Sequence, residues 1–340
     1  MKHIREISRA AATLVTASFM KAKQAVSQIV TRAMTTPFLK SKQAISRTAV
    51  KLAALPWRRY GRALSRAAAG LVGIPVAVGL TALQGAVVGP LTGDYRTIPK
   101  MLHRFMRKLF GYKIEFNAAS APLVKDKRVW FVSNHTSLMD FIVAGSALNG
   151  TFVGKAEILK WPVIAQLVQA AKFIGVARKS EFNDESRGKI AQNFNAGFNV
   201  IMFPEGTTGE GKKVYRFHGA LLSLLYGGKA TDKKKHDVAL KDKVIVQPVA
   251  IRVKSVNGKN AAGNDNLRQA YTMYDEHNAL RMIWKCLQMR EIVLELTAFT
   301  PLDPTNFSNA NDLANKAALD IASVVNPGQT TFEKKAIPGM

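Results

Sequence analysis

Strand-like apolar runs alternate with helix-like runs along the chain after residue 94. The strand-like runs lie at 129–133, 151–153, 173–176, 200–203, 244–253 and 292–300, and the helix-like runs at 138–148, 162–171, 184–195 and 220–226. Such alternation is typical of a sheet covered by helices. We therefore predict the α/β class, with a mixed central sheet flanked by helices in one domain over 94–325 and a tail at 326–340. A chain of 340 residues with 47% hydrophobic residues can bury such a core.

The charge of the chain is strongly basic and unevenly distributed. Its formal net charge is +26, and residues 1–93 hold 14 Lys or Arg against a single acid, Glu6. This balance calls for an anionic partner, and nucleic acid, anionic lipid and acidic carrier proteins are all candidates. The basic region shows neither a helix-turn-helix nor an RNA-binding signature, so we expect no nucleic-acid partner.

The basic region, residues 1–66, carries a faint 19-residue repeat over residues 1–58. The segments Lys21–Ser27 and Lys40–Ser46 have nearly the same sequence. Each repeat unit has the pattern of a short Ala-rich helix, with apolar residues at three- and four-residue steps. We predict a helical extension that lies on an anionic membrane surface or is partly disordered. An organelle transit peptide is a further interpretation.

Residues 67–93 form an uncharged apolar segment. As a helix, 27 residues would extend about 40 Å, compared with about 30 Å for the hydrocarbon core of a bilayer. The segment also contains six glycines and two prolines, which weaken a lone helix. Basic residues on both flanks favour shallow insertion over a full span, and those on the N-terminal side favour a cytoplasmic location for that side. We predict a membrane-inserting segment, with a buried helix of a soluble domain as the alternative.

A histidine and a carboxylate follow the strand-like run at 129–133 in one short stretch, Asn134-His-Thr-Ser-Leu-Met-Asp140. Held in one turn, such a pair can remove a proton from a hydroxyl group. We assign His135 as the base and Asp140 as the carboxylate that orients its imidazole. We also expect the helix start after His135 to direct free backbone N–H groups at the reacting centre. A structural histidine capped by a nearby aspartate is the alternative.

A second motif, Phe203-Pro-Glu-Gly-Thr207, follows the apolar run at 200–203. With the first motif it resembles the glycerolipid acyltransferases, the family of the lysophosphatidate acyltransferases, over roughly residues 95–305. Two positions depart from the family pattern, Ala177 in place of an acid and His218 in place of a lysine. Four further segments support the resemblance in the same order, at 152–158, 173–178, 217–221 and 244–251.

The resemblance implies a site and a reaction. Glu205, Gly206 and Thr207 would form the acceptor site, Arg178 would bind its phosphate, and Lys155 would be a further substrate-binding residue. The reaction would move a fatty acyl group from acyl-CoA or acyl-carrier protein to the hydroxyl of a lysophospholipid, with lysophosphatidate to phosphatidate in phospholipid biosynthesis as the leading case. The alternatives are another lysolipid, such as lyso-ornithine lipid, and a non-catalytic membrane-binding protein.

The same resemblance implies partners and a location. We expect membrane lipids with an anionic surface, a lysophospholipid acceptor, and an acyl-carrier protein as one candidate donor. The enzyme would be membrane-associated with its active site on the cytoplasmic side, at a bacterial inner membrane or, alternatively, an organelle membrane. The single cysteine, Cys286, and the lack of His-x-x-x-His spacing indicate no metal, and the chemistry requires no cofactor beyond the acyl donor.

Overall fold

The computed structural model describes residues 57–125, 128–160, 172–176, 188–190, 197–226, 244–272 and 279–335, with isolated positions at 24, 28, 165, 168, 169, 192 and 193. The chain divides into two compact units, residues 1–69 and 70–340. Nearly all of the predicted basic extension lies outside the described residues. The helix-like runs at 162–171 and 184–195 also lie largely outside them.

A mixed sheet forms the centre of the unit at 70–340, as the sequence predicts. Its order is β1-β8-β6-β2-β5-β3-β4, with β7 paired to β6. The strands β6, β2, β5, β3 and β4 are parallel, whereas β8 is antiparallel to β6 and parallel to β1. The strands are β1 (Tyr112–Phe116), β2 (Arg128–Ser133), β3 (Thr151–Lys155), β4 (Ile174–Val176), β5 (Val200–Met202), β6 (Val244–Val256), β7 (Lys259–Asn260) and β8 (Ile292–Ala298).

The register between β2 and β5 determines where the two motifs emerge. Trp130 pairs with Val200 and Val132 with Met202, in parallel. Both strands are apolar and buried along nearly their whole length, as expected for strands covered on both faces. Because their carboxyl ends lie side by side, the segments that begin at 134 and 203 leave the sheet at the same edge.

Helices precede the first strand and lie between strands along the chain. A long N-terminal helix, α1 (Trp57–Leu83), continues through a π-helical turn (Gln84–Val88) and a last helical turn (Gly89–Thr92). The run at 220–226, predicted as a helix, is a 3₁₀ turn, because its short apolar stretch ends after five residues at Leu222–Tyr226. The remaining α-helices that the structure describes in full are α2 (Thr97–Leu109), α3 (Asp140–Ala147), α4 (Asp265–Arg268), α5 (Ala279–Gln288) and α6 (Ala310–Val325).

Helix α6 packs closely on the sheet through an alanine-rich face. Its buried residues recur at three- and four-residue steps, which is the spacing of one helix face. Small side chains let the helix approach the strands closely, and the face joins one core with residues of β2, β5 and β6. The buried residues of this face are Ala310, Leu313, Ala314, Ala317, Ala318, Ile321 and Ala322.

Among the described residues, one helix has the length and composition to cross a membrane. It runs from Trp57 to Thr92, and its most apolar window has a mean hydropathy of 2.0 with 17% of the residues buried. Val72 and Leu91 are 72% and 79% exposed on this helix. Insertion in a bilayer, as predicted for residues 67–93, would cover such side chains.

A buried glutamine connects α1 to α2. Gln84 is fully buried, its Oε1 accepts the backbone N–H of Ile98 at 3.1 Å, and its Nε2 donates to the carbonyl of Asp94. The Asp94 carboxylate in turn accepts the N–H groups of Arg96 and Thr97. Since the first N–H groups of a helix have no partner within it, these bonds cap α2 and hold the turn between the two helices.

We predict that Gln84→Leu destabilises the protein. The substitution keeps the side-chain volume but leaves the part-buried backbone groups of Asp94 and Ile98 without these partners, which costs up to about 1–3 kcal/mol for each unsatisfied group. The melting temperature in detergent should therefore fall. Leu83→Ala, at a neighbouring exposed position, is the control and should change it much less; equal melting temperatures for Gln84→Leu and wild type would refute the capping role.

Candidate active site

The site lies at the carboxyl ends of β2 and β5, where the two motifs meet. The segment after β2 is held to the sheet by Asn134, whose Oδ1 accepts the N–H of Ile251 at 2.8 Å and whose Nδ2 donates to the carbonyl of the same residue at 2.9 Å. This two-point contact with β6 fixes the residue just before His135. The asparagine belongs to the motif, but sequence alone gives it no role.

His135 and Asp140 form the predicted pair. His135 Nδ1 lies 3.0 Å from Oδ2 of Asp140, and the carboxylate is fully buried at the first residue of α3. The N–H groups of Thr136 and Ser137 also donate to Oδ2, at 2.6 and 2.8 Å. With Nδ1 facing the carboxylate, Nε2 is the imidazole nitrogen that can accept a proton from a substrate.

These bonds correct one expectation from the sequence. The N–H groups of Thr136 and Ser137 are bound by Asp140, and that of Met139 donates to Ser137 Oγ at 3.2 Å. The prediction that the helix start directs free N–H groups at the reacting centre is therefore wrong for these three residues. The turn uses them to hold the buried carboxylate, which would otherwise lose its solvation without compensation.

Tyr271 is a further hydrogen-bond partner of Asp140, and the sequence did not predict this contact. Its hydroxyl donates to Oδ1 at 2.6 Å, and its side chain is fully buried. Burial, together with the nearby Asp140 charge, raises the pKa of Tyr271 well above its ordinary value, so the phenol keeps its proton and acts as a donor. No sequence signal could have found it, because 131 residues separate it from Asp140.

Aromatic rings hold the imidazole of His135 on two sides. Phe203 stacks on it with ring centroids 4.4 Å apart and an angle of 13°, and Phe141 meets it edge-on at 5.8 Å and 88°. Phe203 immediately follows β5 and Phe141 is the second residue of α3. Both motifs therefore fix the plane of the ring, and 13% of the His135 side chain is exposed.

Glu205 brings a second acid to the site. Its Oε1 accepts the N–H of His135 at 3.4 Å, its Oε2 has no hydrogen-bond partner among the described residues, and it is 5% exposed. Burial raises the pKa of Glu205 well above its ordinary value and the charges of Asp140 and Glu210 add to this, whereas the His135 N–H and Lys335 act in the opposite direction. Its carboxyl group thus keeps its proton to a higher pH than an exposed glutamate does.

Gly206 makes the tight turn that presents Glu205. Its φ is +69°, a left-handed conformation that favours glycine, and its N–H donates to the carbonyl of Phe203 at 3.1 Å. Further along the loop, the N–H of Gly209 donates to the carbonyl of His135 at 2.6 Å. The glycines therefore tie the second motif directly to the first.

The structure brings together most of the residues that the sequence singles out. His135, Asp140, Glu205 and Gly206 lie at one site, and the partly buried Thr207 continues the same turn. Lys155 is the last residue of β3, which lies parallel to β5, so its backbone belongs to the same sheet edge. Arg178 lies outside the described residues. The role of each residue in binding or catalysis stays a prediction.

An apolar cavity of about 240 Å³ opens beside the pair. Phe141, which contacts the His135 ring, lines it, and so do residues of α2, α3 and β3. His103 also lines the cavity and packs against Gly145 on α3. A glycine is required at position 145, because a Cβ on that residue would lie 2.7 Å from the His103 ring. Burial lowers the pKa of His103 to about 4, so this ring is uncharged at neutral pH.

We predict that Glu205→Gln raises the melting temperature, and more so at higher pH. A raised folded-state pKa means that the stability contributed by protonated Glu205 is fully present below the ordinary value of 4.5 and is lost as the pH rises through the folded pKa. Glutamine stays neutral, so the difference between variant and wild type should grow as the pH rises above the ordinary value of 4.5. The exposed Glu157→Gln should show no such trend. A difference that does not depend on pH would count against the raised pKa.

Comparison with known proteins shows which proteins the region around this site resembles. Residues 116–252 match the acyltransferase family model. The lyso-ornithine lipid O-acyltransferase of Brucella abortus (strain 2308) is 32% identical over 168 residues, which cover 49% of this chain and 59% of that protein. The 1-acyl-sn-glycerol-3-phosphate acyltransferase of Neisseria gonorrhoeae is 24% identical over 198 residues, 58% of this chain and 69% of that protein.

A further relative and one solved structure extend the comparison. The lyso-ornithine lipid O-acyltransferase of Pseudomonas aeruginosa is 32% identical over 170 residues, 50% of this chain and 57% of that protein. The chain thus spans less than two thirds of the length of these first relatives. The crystal structure of the 1-acyl-sn-glycerophosphate acyltransferase of Thermotoga maritima shares the fold, with a TM-score of 0.53 and 19% identity over 82% of this chain and 98% of that one. Residues 116–252, which carry His135, Asp140 and Glu205, are therefore similar in sequence to the acyltransferase family.

Proposed function

We propose that this protein transfers a fatty acyl group from a thioester donor to the free hydroxyl of a lysolipid. The observation that carries the proposal is the pair of the part-buried His135 and the buried Asp140 beside an apolar cavity, within a region that matches the acyltransferase family model. A base for the hydroxyl and a dry space for a hydrocarbon chain are the two features that this reaction needs together.

In this proposal the acyl group passes directly from donor to acceptor. His135 Nε2 removes the proton of the acceptor hydroxyl as its oxygen attacks the thioester carbonyl carbon. The tetrahedral intermediate then collapses, the carbon–sulfur bond breaks, and the leaving thiolate takes the proton from the imidazolium. Asp140 stabilises the imidazolium between these steps, since its buried carboxylate lies 3.0 Å from Nδ1.

The cavity is the place we assign to the acyl chain. Its walls are mainly apolar side chains, and one of them, Phe141, contacts the imidazole of His135. Each buried methylene of a chain gains about 0.8 kcal/mol, so a pocket of this kind binds a fatty acyl group and excludes water from the thioester. For the donor we propose acyl-CoA or acyl-carrier protein, with no further cofactor and no metal.

Two acceptors are candidates, and the relatives favour one of them. The motif resemblance predicts lysophosphatidate. Two relatives at 32% identity carry the name lyso-ornithine lipid O-acyltransferase, whereas two relatives named for 1-acyl-sn-glycerol-3-phosphate are 24% identical. We therefore propose lyso-ornithine lipid as the acceptor, with lysophosphatidate as the second candidate. Steady-state transfer to each lysolipid, measured side by side, tests the choice: a higher kcat/KM for lysophosphatidate would reverse it.

We further propose that the protein works at a membrane with its active site on the cytoplasmic side, at a bacterial inner membrane. The long apolar helix from Trp57 to Thr92, with its exposed aliphatic side chains, supports membrane association. The relatives act on lipids by name. The basic N-terminal region would add electrostatic attraction to anionic lipid.

Substitutions around Asp140 test the mechanism. We predict that His135→Ala lowers kcat by about 10²–10⁴-fold, because it removes the base, and that Asp140→Asn lowers it strongly. Tyr271→Phe removes one charge-assisted hydrogen bond, worth roughly 1.5–3 kcal/mol, and should lower kcat by at least about tenfold with the KM of both substrates unchanged. The assay is steady-state transfer with purified protein, and circular dichroism checks the fold. A His135→Ala variant that keeps more than about a tenth of the wild-type kcat would exclude His135 as the base.

Two exposed residues of the apolar helix test membrane association. We predict that Val72→Asp with Leu91→Asp weakens binding to vesicles at high salt, where electrostatic attraction is screened, because each new carboxylate loses its hydration when the helix enters the bilayer. Leu319→Asp on α6 replaces another exposed aliphatic residue and is the control. Co-sedimentation with phosphatidylglycerol-containing vesicles is the measurement. Equal binding of the double variant and the control would contradict insertion by this helix.

A further inference from the structure

The C-terminal segment, residues 326–335, lies outside the family match but packs beside the candidate site. Gln329 donates through Nε2 to the carbonyl of Val214 at 2.7 Å and accepts the N–H of Val214 at 3.0 Å. The N–H of Arg216 donates to the carbonyl of Glu333 at 3.0 Å, and Phe332 packs against the core. The segment is therefore anchored along the loop that follows Glu205 and Gly206.

Lys335, the last residue of the chain that the structure describes, is bonded to that loop. Its Nζ donates to the carbonyl oxygen of Thr208. The N–H of Gly209, which belongs to the same peptide group, donates to the carbonyl of His135 at 2.6 Å. A single planar peptide thus lies between the ammonium group and the backbone of the predicted base, so Lys335 is at the edge of the reacting centre.

An anionic acceptor that binds near this peptide would need a cation beside it, because negative groups lie close by. Asp140 and Glu210 both act on Glu205 as negative neighbours, and Lys335 acts on it as a positive one. Nearby, Lys212 forms an ion pair with Asp265. Because like charges repel a bound anion, a phosphate or carboxylate entering beside Glu205 needs a positive group within reach.

Glu205 also gives the site a polar atom for a ligand. Its Oε2 is buried without a hydrogen-bond partner among the described residues. Buried carboxyl oxygens are normally bonded, and a substrate hydroxyl beside Nε2 of His135 would supply the missing partner. A lysolipid bound there would present its headgroup near the loop at 206–209, where Lys335 lies.

We propose that Lys335 binds the anionic group of the acceptor headgroup and thereby orients the acceptor hydroxyl toward His135. This inference rests on the proposed acyl transfer to a lysolipid. The ligand is a phosphate in lysophosphatidate and a carboxylate in lyso-ornithine lipid. A lysine suits both anions, since its ammonium has three donors on a flexible four-carbon stem and can contact an anion while it stays near Thr208.

Three variants test the proposal. Lys335→Gln removes the charge, Lys335→Arg keeps it, and Lys316→Gln removes the same charge from the surface of α6, where that lysine pairs with Asp320. We expect Lys335→Gln to raise the acceptor KM by at least about tenfold, with kcat and the donor KM little changed, as for the loss of a charged partner. Lys335→Arg should recover most of the affinity and Lys316→Gln should match wild type.

Comparing the KM values for the two acceptors shows which of the two anions Lys335 binds. A KM increase confined to lysophosphatidate assigns Lys335 to a phosphate, one confined to lyso-ornithine lipid assigns it to a carboxylate, and an increase for both supports the general form of the proposal. If Lys335→Gln instead lowers kcat and the melting temperature with the acceptor KM unchanged, the residue only holds the loop through Thr208, and the proposal is overturned.

A binding measurement separates this proposal from the proposed function. Calorimetry with short-chain lysophosphatidate and lyso-ornithine lipid is carried out on full-length His135→Ala protein, with and without Lys335→Gln. Weaker binding after Lys335→Gln supports the anion site even if wild type transfers no acyl group, which would refute only the proposed function. Wild-type transfer together with binding that does not depend on Lys335 would refute the anion site and leave the function intact.

Discussion

The buried carboxylate of Asp140 is the feature on which the candidate site depends. An ionised group without access to water costs several kcal/mol unless hydrogen bonds replace its solvation. Here the imidazole of His135, two backbone N–H groups and the hydroxyl of Tyr271 supply those bonds. The same bonds that make burial tolerable also orient the imidazole. Structure and proposed chemistry therefore depend on one set of contacts. The turn after β2 cannot change shape without exposing the Asp140 carboxylate to solvent or removing its hydrogen bonds.

Glu205 shows the opposite arrangement, and the contrast between the two acids is informative. Its carboxyl group receives one long bond from the His135 N–H and has one oxygen unpartnered within the described part of the chain. Such a group reduces stability, and proteins retain groups of this kind where a ligand completes the bonding. We therefore interpret Asp140 as a group satisfied by the protein itself and Glu205 as a group that the acceptor satisfies. Their separate environments fit separate roles, one in orienting the base and one in binding.

Much of the fold and part of the site could be predicted from local sequence. The strand-like runs correspond to β2, β3, β4, β5, β6 and β8, because buried parallel strands require continuous apolar stretches that are visible without a structure. The pairing of His135 with Asp140 could also be predicted, because one turn of the chain brings residues five positions apart close together. The N–H groups of Thr136 and Ser137 are not free as expected, because they solvate the buried carboxylate of Asp140.

The sequence by itself determined the α/β class, the apolar N-terminal helix and the two motifs, because each of these depends on residues that are close along the chain. Only the tertiary structure decided which distant residues meet. The parallel register of β2 and β5 joins His135 to Glu205, the segment after α4 brings Tyr271 to Asp140, and the C-terminal segment brings Lys335 to Thr208. Periodicity and composition carry no information about these contacts, because they arise when strands pair and loops pack, and a tyrosine or lysine that will bond to a distant loop has no local mark that distinguishes it from others of its kind.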